Sequence, residues 1–155
     1  MARAKSEILI LQSLMDRLTD SGSDDWPTTR ASSLRMYRDG IKRDVEWLLN
    51  SRQPRVTQLV GYPLASVSVF NYGLPDLTQF AGHGHDPEGL LMAILQTVRN
   101  FEPRIRDPRV FLQRTDVLNR SLRFHVEGRL VFENGEEDIS FDTVLEIISG
   151  QYEVK

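Results

Sequence analysis

The chain has 155 residues, 40% of them hydrophobic and 26% charged, with a net charge of −3 and no cysteine. That is enough for one soluble domain with its own core, and it rules out disulfides and cysteine-liganded metals. A negative balance weighs against nucleic acid as the main partner, because cationic side chains drive binding to phosphate.

Ile8-Leu9-Ile10-Leu11 follows a short basic start but is broken at once by Gln12 and Ser13. It is too short for a signal core, and no run approaches the roughly 18 apolar residues of a membrane helix. A cytoplasmic, soluble protein is expected.

In chain order, Leu11, Leu14, Met15 and Leu18 fall on one helical stripe. The polar run Asp20–Asp25 after it reads as a linker, so residues 1–25 are expected to form an appended helical arm. Residues 26–155 then make a single domain. A second helix is expected over Ser33–Asn50, where Leu34, Tyr37, Ile41, Val45 and Leu48 make an apolar face and Pro54 marks the stop. Gly40 weakens it by on the order of 1 kcal/mol relative to alanine.

Gln53–His85 is rich in glycine and proline, yet holds Leu64, Val67, Val69, Phe70, Tyr72 and Leu74. It reads as an ordered loop packed on the core, with room for one short helix. A third helix starts at Asp86-Pro87, a capping residue followed by a proline at the first helical position. It carries Leu91, Ile94, Leu95, Val98 and Phe101, and stops at Pro103.

The C-terminal part reads as sheet. Leu122, Phe124, Val126, Leu130 and Phe132 alternate with Arg123, His125, Glu127 and Arg129, and Asn134-Gly135 signals a hairpin. Ile139, Phe141, Leu145 and Ile147 continue on the opposite parity. A turn that pairs Glu133 with Glu136 would set Leu130 opposite Ile139, Phe124 opposite Leu145 and Leu122 opposite Ile147. It would also set Gly128 under the Phe141 ring, Arg123 opposite Glu146 and Glu127 against the like-charged Asp142. Arg109–Asp116 supplies a third strand. The expected fold is α+β: two or three helices packed on a C-terminal antiparallel three-stranded meander.

Charge is segregated along this half. Seven arginines face three acids between Pro103 and Leu130, whereas seven acids face one lysine from Val131 onward. The two groups either pair across the sheet or form a steering surface for a protein partner.

Four stretches resemble the TssE family of type VI secretion baseplate proteins, relatives of the contractile-tail wedge proteins often labelled lysozyme-like. They are Leu14-Met15-Asp16-Arg17-Leu18, Arg43–Arg52, Ser68–Leu77 with its Asn71-Tyr72-Gly73-Leu74-Pro75-Asp76 string, and Phe101-Glu102-Pro103-Arg104. Phe141–Leu145 and Ser149–Tyr152 resemble the family's ending.

The resemblance implies a structural, non-enzymatic subunit without cofactor, working at a baseplate near the inner membrane. Its implied partners are wedge subunits of the TssF, TssG and TssK types and sheath proteins of the TssB/TssC type, with the C-terminal sheet accepting sheath strands. A phage or tailocin wedge of the same family is the alternative.

Glu102, Pro103 and Arg104 are either a local helix stop or a bridge to a partner, to which arginine suits bidentate carboxylate contacts. Tyr72, Gly73 and Asp76 are either a packed turn or a second partner contact. His83-Gly84-His85 lacks an evident third ligand, so no metal is expected there. His125 is expected to be a solvated side chain on the polar face. A glycosidase would need two carboxyls set about a cleft, and no spacing in the sequence places such a pair.

Overall fold

The computed structural model describes residues 8–19, 26–54, 61–76, 87–116, 121–133, 135–146 and 151–154. The expected linker over residues 20–25, the Asp86 cap, the His83-Gly84-His85 loop, Asn134 and Ile147 lie outside these residues. The helices are α1 (Leu14–Thr19), α2 (Arg30–Asn50), α3 (Pro63–Ser66) and α4 (Pro87–Phe101), with a 3₁₀ turn at Val69–Asn71. The strands are β1 (Ile105–Asp116), β2 (Ser121–Phe132), β3 (Gly135–Glu146) and β4 (Gln151–Val154). They form one antiparallel sheet in the order β1-β2-β3-β4.

Helix α2 starts three residues before the expected Ser33 because Thr29 and Ser32 make a reciprocal cap. The Ser32 N–H donates to Thr29 Oγ1 at 3.1 Å and the Thr29 N–H to Ser32 Oγ at 3.1 Å. Tyr37, Ile41, Val45, Leu48 and Leu49 are buried along its inner face. Gly40 is buried too, and a Cβ there would stand 3.0 Å from the Asp16 carboxylate. The glycine that weakens the helix admits the arm.

On α4 the buried residues are Leu90, Ile94, Thr97 and Val98, while Leu91, Leu95 and Phe101 are half-buried. The expected stripe holds at its centre in Ile94 and Val98, and Leu91 packs against the core from its edge, while Leu90 and Thr97 join the buried face. Phe124, Val126, Leu130, Ile139, Phe141 and Tyr152 complete that core from the sheet side.

The sheet has four strands where three were expected. Strand β4 is only four residues long and pairs with Thr143–Glu146, too short for periodicity to reveal. Strand β1 begins at Ile105, four residues before the expected start, and carries a register shift between Arg106 and Arg109. There Asp107 takes a positive φ of 51° and bonds to the Arg129 guanidinium.

The β2–β3 register is offset by two residues from the expected one. Phe132 lies opposite Gly135, so Leu130 meets Glu137, Gly128 meets Ile139, Phe124 meets Thr143 and Leu122 meets Leu145. A two-residue offset keeps every side chain on its expected face, whereas an offset of one would have inverted the sheet. Charge favours the observed pairing. Glu133 no longer faces Glu136, Glu127 sits opposite Ser140, and Arg123 sits opposite Val144. Asp142 faces His125, with the ring Nδ1 2.7 Å from the carboxylate. His125 is thus half-buried and hydrogen-bonded to a carboxylate rather than simply solvated. The gap over Gly128 is filled by Ile105 of β1, not by Phe141, since an added Cβ would stand 2.5 Å from Ile105 Cγ2.

Part of the segregated charge pairs across the strands, with Arg106 and Arg129 both bonded to Glu136. Arg38 of α2 bonds Glu137.

Candidate partner-binding site

The Glu102-Pro103-Arg104 turn joins α4 to β1. The Glu102 N–H still donates to Val98 O at 2.9 Å, closing the helix, while the Ile105 N–H donates to Glu102 O at 3.1 Å. On the other side of the turn, the Val131 N–H donates to Arg104 O at 2.8 Å, tying it to β2. The backbone is thereby held at three points, and the side chains are held as well.

Glu102 is 4% exposed and accepts from Arg104 Nε at 2.6 Å and from Arg104 Nη2. Arg104 Nη2 also donates to Asp44 Oδ2 of α2 at 2.7 Å, and its guanidinium lies 6.0 Å from the Tyr37 ring centre. Arg43 bonds Asp44 at 2.9 Å and Asp16 at 2.6 Å, extending the cluster to the N-terminal arm.

Burial works against the charge on Arg104, but the hydrogen bonds and charges of Glu102 and Asp44 outweigh it and hold the guanidinium protonated more firmly than usual. Burial, reinforced by Asp44 and Glu102 against Arg104, pushes the Tyr72 hydroxyl up, so it stays a neutral phenol.

An open cleft of about 250 Å³ lies over this cluster, lined by Met15, Asp44, Trp47, Leu48, Tyr72, Phe101, Glu102 and Arg104. Its polar floor is the ion cluster. Apolar side chains make the walls: Trp47 is 62% exposed, and Tyr72 packs edge-on against Phe101 with ring centres 5.4 Å apart.

The Asn71–Asp76 string brings Tyr72 here by a backbone constraint. Gly73 has φ +102°, and a Cβ on it would lie 2.5 Å from Ser51 O. No side chain fits that approach. Leu74 then bonds in both directions, its N–H to Ser51 O and its C=O to the Gln53 N–H, each at 2.9 Å. The Gln53 side chain adds a 2.7 Å bond to Gly73 O.

Of the six expected site residues, Glu102, Arg104 and Tyr72 line one cleft. Gly73 is buried beneath it, Pro103 is exposed on the turn, and Asp76 is half-buried outside the lining. Glu102 points inward and serves Arg104. Asp44, Trp47, Met15 and Phe101 escaped the sequence reading as site residues, although each stands in one of the stretches that carry the resemblance. An exposed tryptophan on a helix was the available signal.

The loop before the string departs from expectation. Tyr62, Leu64, Val67, Val69 and Phe70 are 50–87% exposed, and among the described apolar residues of the segment only Leu74 reaches the core, at 0%. The segment displays its apolar side chains because two short helical turns leave them no opposing layer. Among the described residues no group of three metal-ligating side chains occurs, and no helix is long and apolar enough to cross a membrane.

The chain thus packs helices on one antiparallel meander, with an ion-clustered turn at the floor of an open cleft. Residues 35–135 match the family of the baseplate wedge protein gp25, and the chain belongs to that family. The match runs from α2 to the start of β3 and includes the whole cleft apart from Met15. No curated protein and no solved structure matches the chain.

Proposed function

We propose that this wedge-family chain is the TssE-type subunit of a type VI secretion baseplate, linking the wedge to the contractile sheath. One observation carries the reading. The four stretches that resemble that family converge on a single cleft: Met15 from the first, Asp44, Trp47 and Leu48 from the second, Tyr72 from the third, and Phe101, Glu102 and Arg104 from the fourth.

Wedge subunits of the TssF, TssG and TssK types are the partners this cleft would take. Arg104 supplies the polar anchor, and Glu102 positions it. Pro103, Gly73 and Asp76 shape or border the surface. The role is structural, without turnover or cofactor, at a cytoplasmic baseplate near the inner membrane. Glu102 and Asp44, the two carboxylates of the cleft, are both bonded to one guanidinium, which suits a structural ion cluster rather than an acid–base pair.

Sheath attachment is assigned to the C-terminal sheet by strand addition, in which unpaired backbone groups at an edge accept an incoming strand. Two edges are available, and the local chemistry favours β3. Strand β1 contains Pro108, which lacks a donor, and two register shifts. Strand β3 pairs with β2 without interruption, and among the described residues β4 covers only its last four. On that stretch Glu136, Glu137 and Asp142 are paired within the chain, while the exposed Asp138 favours a basic residue on the incoming strand.

Co-purification of the tagged chain with its wedge and sheath subunits tests both contacts. Arg104→Ala is expected to lose wedge capture at unchanged circular dichroism, and Asp138→Lys to weaken sheath capture alone. Normal assembly by a folded Arg104→Ala protein would leave the turn as a helix stop and nothing more.

A further inference from the structure

Strand β4 is held from its far side by a helix. Asn50, the last residue of α2, accepts the Tyr152 N–H at Oδ1 and donates from Nδ2 to Tyr152 O, each at 2.8 Å. The same Nδ2 donates to Glu46 O at 2.9 Å, one turn back in its own helix, which fixes the orientation of the amide. The side chain thus pairs with Tyr152 as the backbone of a further strand would. Tyr152 itself is 2% exposed against Phe124, and the Arg52 guanidinium lies 5.8 Å from its ring centre. A short strand is therefore fixed by a side-chain amide, a buried ring and its pairing with β3.

The Asn50 contact also decides which backbone groups of β3 are open. In an antiparallel pair, opposed residues alternate between those that bond each other and those that bond outward. Tyr152 bonds outward, to Asn50, so its partner Leu145 bonds to β2, while Val144 and Glu146 bond to β4. By the same alternation Glu136, Asp138, Ser140 and Asp142 direct their N–H and C=O groups to the side of β4, beyond its end. Among the described residues no strand pairs with them there.

The side chains along that edge set the pattern of a segment that would pair with it. Ile139 and Phe141 are 3% and 2% exposed on the face under the helices, whereas Asp138 and Ser140 are exposed on the other face. A residue added opposite Ile139 or Phe141 extends the apolar layer, and one opposite Asp138 or Ser140 stands in solvent. Asp138 favours a cation there. Two copies joined edge to edge through β3 would instead bring their acidic stretches together.

We propose that the open edge from Glu136 to Asp142, ended by β4 as Asn50 holds it, takes one extended segment of about seven residues on a sheath subunit, in line with β4. Its residues alternate, apolar opposite Ile139 and Phe141 and polar or basic opposite Asp138 and Ser140. Asn50 is a positioning residue, since it fixes the strand at which the segment stops. This rests on the assignment of sheath attachment to β3.

The test combines capture of purified sheath subunits of the TssB/TssC type with hydrogen exchange on the full-length chain. Ser140→Pro removes an N–H that β2 does not use, and proline is tolerated where the N–H of a strand faces outward. It is expected to weaken capture at least about tenfold, while Ser140→Ala, which keeps the backbone, binds as wild type. In the wild type, bound sheath is expected to slow exchange at the four open residues, a readout that needs no variant. Asn50→Ala is expected to speed exchange over Gln151–Val154 about tenfold in the free chain and to let protection by sheath spread to Val144 and Glu146.

Wild-type capture by a folded Ser140→Pro chain overturns the proposal, as does unaltered exchange of β4 in Asn50→Ala. Protection by sheath that falls on β1 instead of the four open residues overturns it and leaves the link to the sheath intact. Failure of the wild type to capture any sheath subunit overturns both readings. A wild-type dimer in sedimentation, lost in Ser140→Pro, makes a second copy the occupant and overturns the proposal.

Discussion

The sheet and two short segments outside it, the N-terminal arm and the Tyr62–Phe70 loop, use similar apolar residues in opposite ways. In β2, Phe124, Val126 and Leu130 are 0% exposed because strand alternation aims them all at α2 and α4. In the arm and the Tyr62–Phe70 loop, Leu14, Leu18, Leu64 and Val69 are 67–87% exposed. The difference lies in what stands opposite. A strand of a meander has a neighbour to set its register and a helical layer to cover it. A six-residue helix and two short turns have neither, and they are fastened by backbone and carboxylate bonds instead. Burial holds the first region together, whereas point contacts hold the second and leave its apolar side chains exposed.

Phe124→Ala attacks the buried region most directly. The ring is fully enclosed and lies against Tyr152 with centres 5.8 Å apart, so a loss of about 3–5 kcal/mol is expected in denaturant unfolding.

Glu102→Ala tests the joint between the regions. It strips Arg104 of its closest counter-charge while Asp44 remains, and Arg104 is 24% exposed. A loss of about 2–3 kcal/mol is expected, below the roughly 3–5 of a fully buried pair. A melting temperature unchanged from wild type would show that the cluster adds no stability.

Gly73→Ala follows, at about 1–3 kcal/mol, because the positive φ and the Ser51 carbonyl both oppose a Cβ. Asn71→Ala, which removes only a 3.0 Å amide bond to Ser66 O in the same string, is expected to cost less.

Acid should then separate the regions. Burial opposes the charge of Asp16, but the bonds from Arg43 and Ser13 outweigh it and hold the pKa below its ordinary 3.8. The carboxylate's contribution to arm docking is therefore present above 3.8 and is lost as pH falls through the lower folded value. Hydrogen exchange is expected to show residues 8–19 opening at a pH where β2 stays protected, and Asp16→Asn should remove that pH dependence.

Leu18→Ser should matter least, within about 0.5 kcal/mol, since the side chain is 70% exposed. A larger drop in the melting temperature of the isolated chain would mean that the arm's leucines are covered, and the contrast would fail.

The strands β2 and β3, the α2 face and the helix stop before Pro103 were all legible, because alternation, helical period and proline chemistry act locally. The hairpin register was legible in parity but not in count. The Asn134-Gly135 signal indicates that the chain reverses, and pairing of His125 with Asp142 and separation of like charges select the register. Strand β4 was hidden by its length. The inner face of α4 was legible at Ile94 and Val98, whereas its extension to Leu90 and Thr97 was not, as apolar residues on both flanks allow a small rotation.

Of the site, the Glu-Pro-Arg turn and the Asn-Tyr-Gly-Leu-Pro-Asp string could be read along the chain, but not their meeting. Arg104 and Asp44 are 60 residues apart, and Arg43 and Asp16 are 27 apart. The sequence by itself determined which residues alternate, which cap and which must be glycine, because each depends on the chain's own neighbours. Only the tertiary structure decided that Glu102 turns inward to hold Arg104, that Gly40 makes room for a carboxylate, and that the arm's leucines face out. Each of those depends on what another segment brings to the same place.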